Sequence, residues 1–179
     1  MSRLALVASL CLVSGVASAT TMIPLDLQAL TRRADRVVLG TVMSSQASWT
    51  RDHDAIYTDV TVRIERAYKG AAEPGQTITI RREGGIVDGI EMRVFGAAIL
   101  RVGEEAVLFV ERRGVASYVV GMSQGMLRVE TLADGSKQVR APDLSGIALM
   151  PSKTPVRGMR TRPLGELEEE LRGYLKGSR

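Results

Sequence analysis

The chain has 179 residues, 45% hydrophobic and only 4% aromatic, with 24 Lys plus Arg against 20 Asp plus Glu. A net charge of +4 with so few aromatic rings argues against a nucleic-acid binder built on stacked bases. One cysteine and one histidine exclude an internal disulfide and the usual His/Cys zinc sets.

The first residues, "MSRLALVASLCLVSGVASA", carry one charge at Arg3, an apolar run from Leu4 and a small-x-small ending at Ala17-Ser18-Ala19. That pattern predicts a secretory signal peptide over 1–19, with Thr20 as the first mature residue. The run is too short to span a bilayer comfortably. Leu10 before Cys11 does not suit a lipoprotein, and Cys11 leaves with the signal peptide. The protein is therefore expected in the periplasm or outside the cell, without disulfides, and with no transmembrane segment after cleavage. The remaining chain, roughly 160 residues, suffices for one core. Its mildly basic balance favours a protein or an anionic envelope component as partner over nucleic acid.

"IPLDLQALTRRAD" predicts a short helix over Leu25–Arg33, with Pro24 near its start. "RVVLGTVMSSQASW" reads as a long strand in which Gly40 marks a bulge or sharp coil. After the polar turn "RDHDA", alternate spacing puts Ile56, Thr58, Val60, Val62 and Ile64 on one buried face. "TITIRRE" is the next strand, "GGIVDG" a Gly-rich connection and "IEMRVFG" a further strand. A strongly apolar strand follows over Ala106–Val110, then two short strands around Gly121–Gly125. Asp134-Gly135 predicts a tight primed turn in a closing hairpin.

Residues 141–162 read as a linker with Pro142, Pro151 and Pro155. Over 163–177, Leu164, Leu167, Leu171 and Leu175 form an apolar stripe beside an acidic face, predicting an amphipathic helix that caps one open end of the β domain. The strands over 20–140 predict a mainly β fold: a small, strongly coiled antiparallel barrel, with a β-sandwich as the alternative.

Few residues suggest chemistry. Arg51, Asp52, His53, Asp54 and Asp59 form the densest polar cluster, and Asp52, His53 and Asp54 in it are the candidate metal ligands, although neighbouring side chains in an extended loop point apart. "GMSQG" has the letters of a nucleophile elbow but lacks the strand-turn-helix setting and a later histidine. "EGGIVDG" matches neither phosphate-loop nor dinucleotide spacing, and adjacent Glu104 and Glu105 face opposite ways in a strand. No catalytic residue and no cofactor is assigned. Glu83 and Asp88 on the Gly-rich loop, with Arg51, are the candidate ligand-contacting residues.

The segments "ADRVVLGTV", "YTDVTVRIERAYKG", "GGIVDGIEM", "GEEAVLFV" and "GMSQGMLRV" resemble a group of small secreted bacterial β proteins with no activity assigned to them. The opening strand is also similar, more distantly, to netrin-like domains, which include tissue inhibitors of metalloproteinases. The resemblance implies a barrel with exposed loops. The inhibitors' N-terminal zinc-chelating cysteine has no counterpart in "TTMIP". The expected function is an exported, non-enzymatic binding module, with an inhibitor or accessory of a secreted metalloprotease as the alternative.

Overall fold

A computed structural model describes residues 20–145, 147–151, 156 and 158–177. The expected signal peptide (1–19) lies outside the described residues, as do parts of the expected linker. In chain order the elements are β1 (Thr20–Met22), α1 (Leu27–Arg33), β2 (Arg36–Trp49), β3 (Ile56–Lys69), β4 (Thr77–Glu83), β5 (Gly85–Val87) and β6 (Ile90–Met92). There follow β7 (Glu105–Arg113), β8 (Ala116–Val119), a 3-10 turn (Met122–Gly125), β9 (Met126–Thr131), β10 (Lys137–Val139), β11 (Ile147–Leu149), β12 (Arg162–Pro163) and α2 (Leu164–Lys176).

Helix α1 starts two residues later than the sequence pattern suggests. The Leu25 N–H is taken by Gln124 Oε1 at 2.8 Å, and the Asp26 carboxylate caps the helix by accepting from Ala29 N at 2.7 Å. At the other end Lys69 Nζ donates to the carbonyls of Thr31 (2.8 Å) and Ala34 (2.6 Å). A cation thus satisfies acceptors that a helix C-terminus leaves open.

The main sheet runs β12-β10-β9-β7-β2-β3-β4, with neighbouring strands antiparallel. Strand β7 is its hub. One edge pairs with β2; the other is divided between β9 (Glu105–Leu108) and β8 (Val110–Arg113). The β2–β3 ribbon bends through register shifts at Val37/Val38, Leu39/Gly40 and Val42/Ser44. Gly40 is where the sharp coil was expected. A Cβ there would lie 2.6 Å from Arg63 O and 2.7 Å from Val62 Cγ1, so the paired strand β3 occupies the side chain's place.

Coiling brings β4 up against β8, but no ladder joins them, and the expected barrel does not close. The physical reason is length. One edge of β8 pairs with β7, and the other offers β4 only four residues before the chain leaves the strand at the 3-10 turn. The alternative of a sandwich also fails, because the other two sheets, β1-β11 and β5-β6, have only two strands each.

Around β7 and the start of β2 both faces of the sheet are apolar, whereas the outer face of β3 and β4 is polar. Val38, Val42, Val60, Val62, Ile64, Ile78, Ile80, Leu108 and Val110 fill the inside of the coil. Val37, Leu39, Val107, Phe109, Leu127 and Val129 form the outer face, covered by Leu27 and Leu30 of α1 and Leu164, Leu167 and Leu171 of α2. Helix α2 therefore covers the sheet's outer face beside α1 instead of capping an open end. Polar anchors fix it there: Glu168 accepts from Tyr68 Oη at 2.6 Å and pairs with Arg66, and buried Arg162 pairs with Glu170. Burial first, then the Glu168 hydrogen bond, raises the Tyr68 phenol above its ordinary value.

Two turns exchange their expected roles. Asp88 (φ 51°) and Gly89 (φ 77°) form a two-residue primed turn between Val87 and Ile90, which pair across the hairpin. At Asp134-Gly135 only the glycine has positive φ (81°), and Gly135 N donates to Leu132 O at 2.9 Å. The expected primed turn is thus replaced by a longer loop with a left-handed glycine. "IEMRVFG", expected as a strand throughout, keeps strand form only over Ile90–Met92.

Candidate functional site

Where β4 and β8 approach without pairing, a cleft of about 130 Å³ remains, lined by Arg81, Arg82, Glu83, Ala97, Ala98, Arg113, Tyr118, Val119 and Met122. Its key side chain follows from strand alternation. In "TITIRRE", Ile78 and Ile80 are buried inside the coil, and Arg82 is the next residue on that row. An arginine therefore stands where the pattern calls for a core aliphatic.

Arg82 sits opposite Thr58, whose buried hydroxyl donates to Gly84 O at 2.6 Å. The Arg82 Nη1 donates to the same carbonyl at 3.2 Å, while its Nε is buried with no partner. Among the described residues no carboxylate pairs with it. Burial disfavours its charged form and lowers its pKa from the ordinary guanidinium value.

The two other cations are neutralised. Arg81 makes a bidentate pair with Asp59, Nε and Nη2 donating at 2.7 Å each, and lies 5.5 Å from the Tyr57 ring centre. Arg113 pairs with Glu111 and lies 5.4 Å from the Tyr118 ring centre. They frame the cleft as oriented donors rather than free charges. Its apolar side comes from Ala97, Ala98, Val119 and Met122. Met122 holds a left-handed backbone (φ 59°) directly after Gly121 (φ 62°), a local strain of the kind that persists when surrounding structure imposes it.

Of the residues singled out in the sequence, only Glu83 lies at this cleft. Arg51 is exposed at the β2–β3 turn, and Asp88 is exposed at the β5–β6 turn. Asp52, His53 and Asp54 share the β2–β3 turn with Arg51. There His53 stacks on Trp49 with ring centres 6.0 Å apart, and Asp54 accepts from Thr50 Oγ1 at 2.6 Å. Among the described residues no group of three His, Cys, Asp or Glu side chains converges to hold a metal ion. Ser123 of "GMSQG" lies in the 3-10 turn between β8 and β9, which both pair antiparallel with β7, and its hydroxyl is buried without a partner. The neighbouring Gln124 accepts from Leu25 N and donates to Ile23 O at 3.1 Å, tying down the N-terminal segment.

Sequence reading missed Arg82. The signal was present in the alternation Ile78, Ile80, Arg82, a charge continuing an apolar row. Among the described residues no helix is long and apolar enough to cross a membrane. Comparison with protein-family models, curated proteins and solved structures finds no match to this chain.

Proposed function

We propose that the protein is an exported, non-enzymatic binding module that takes its ligand at the cleft between β4 and β8. The observation that carries this reading is the unclosed seam: two strand edges meet without a ladder and leave a lined recess at the edge of the coiled sheet. The lining combines apolar surface with a few convergent polar groups, which is the make-up of a small-molecule recognition site. At about 130 Å³ the recess is smaller than a drug-sized pocket, so it suits a small ligand or one end of a larger one.

The reading is tested on the full chain expressed with its own N-terminus and recovered from the export compartment. Its intact mass should correspond to a chain beginning at Thr20. With methyl groups labelled for NMR, a small-molecule extract of the envelope should shift the Ala97, Ala98, Val119 and Met122 methyls saturably. Retention of residues 1–19 would remove the export half of the proposal. Shifts confined to the 51–54 turn would remove the binding half.

A further inference from the structure

We infer that the ligand of this cleft presents an anionic end group, a carboxylate or a phosphate, on a short apolar body, with Arg82 as the residue that holds the charge. The inference rests on the cleft being the binding site and adds the chemistry that fills it.

The argument starts from an imbalance. A guanidinium drawn into a partly dry site costs stability unless it gains a counter-charge and satisfies its donors. Arg81 and Arg113, on either side of the seam, meet that condition through Asp59 and Glu111. Arg82 does not: its buried Nε is unpartnered and only backbone carbonyls accept from Nη1. The acid in the cleft lining, Glu83, is exposed and follows Arg82 on the opposite face of the strand, where solvent screens it. The uncompensated charge is therefore on the inward row, where a bound anion would meet it.

Arginine's planar fork matches the oxygens of a carboxylate or phosphate better than any other counter-group. The Arg81 and Arg113 forks are already filled, so Arg82 offers the open valence, and one such cation suits one anionic group. The rest of the lining sets the ligand's other half. Ala97, Ala98, Val119 and Met122 offer apolar contact and no charge, and the Tyr118 ring stands beside them. A bare inorganic anion would leave that surface wet. An apolar body attached to the anion would cover it.

The test titrates the exported protein with five probes, following the cleft methyls by NMR: hexanoate, hexyl phosphate, hexylamine, 1-hexanol and inorganic phosphate. Hexanoate or hexyl phosphate should bind tightest, and whichever leads identifies the anion as carboxylate or phosphate. The variant Arg82→Met should weaken that probe about tenfold or more, the loss expected for a charge-assisted hydrogen bond. It should change 1-hexanol far less than the anionic probes. Arg82→Lys should recover part of the loss, which separates charge from fold. Unchanged affinity of Arg82→Met for the anionic probes, or hexylamine binding as well as hexanoate, would overturn the inference. If 1-hexanol shifts the cleft methyls and the anions bind no tighter, the anion assignment falls while the cleft stands as a site. If no probe shifts them, the cleft reading falls as well.

Discussion

Single residues in this protein are read by what they face. The Asp59 carboxylate is held below the ordinary carboxylate range, chiefly by the hydrogen bond from Arg81 against an opposing effect of burial. Because the folded value is the lower one, the pair's contribution is fully present at neutral pH. It disappears as pH falls from about 4 through the lowered Asp59 value. The pair is half-exposed, so Asp59→Asn should cost no more than about 1 kcal/mol at neutral pH. Urea midpoints measured along a pH series should show wild type and variant converging in acid. A gap that stays constant with pH would mean that Asp59 acts through packing instead. The same alternation that puts Asp59 and Arg81 on the outer face puts Thr58 and Arg82 on the inner one.

At the level of elements, the β2–β3 ribbon shapes the molecule, and at Gly40 its two strands approach too closely for a side chain. Gly40→Ala would push a methyl into a backbone carbonyl, which cannot swing aside as a side-chain tip can. A loss of about 3 kcal/mol is expected, at the upper end for overpacking, measured as a lower urea midpoint with an unchanged slope. A neutral result would show that the ribbon can flatten. Turns are less legible than strands. Two Asp-Gly pairs occur, at Asp88-Gly89 and Asp134-Gly135, and the letters alone favour a primed turn at both. Only the first sits between residues that pair directly, Val87 and Ile90. At the second, pairing stops at Thr131 and Lys137, and the longer loop takes a different geometry.

Taken as a whole, the molecule is one coiled eight-stranded sheet with two small two-stranded ones, and the centre of the main sheet around β7 is buried on both faces. Strand β7 shows why this was hard to anticipate: within "EAVLFVERR" the residues Ala106–Val110 form an unbroken apolar run because Val107 and Phe109 face the helices while Leu108 and Val110 face the inside of the coil. The outer layer should matter as much as the inner one. Leu171→Ala, at a fully buried α2 position, is expected to cost about 2–5 kcal/mol. Thermal unfolding should remain a single transition, since α2 packs on the same strands that build the inner core. A separate early transition for α2 would show that the helix is an attached layer and not part of the cooperative unit.

Residue order alone determined the strands β2, β3 and β4, the helical stripe of α2 and the mainly β class, because each depends on side-chain periodicity within one segment. The tertiary structure alone decided that the sheet stays open, that α2 lies on its outer face, and that β4 and β8 leave a cleft with Arg82 unpaired. Those outcomes depend on how many residues β8 can offer and on which strand edges meet after coiling. Both involve segments far apart in the chain, and no local pattern records them.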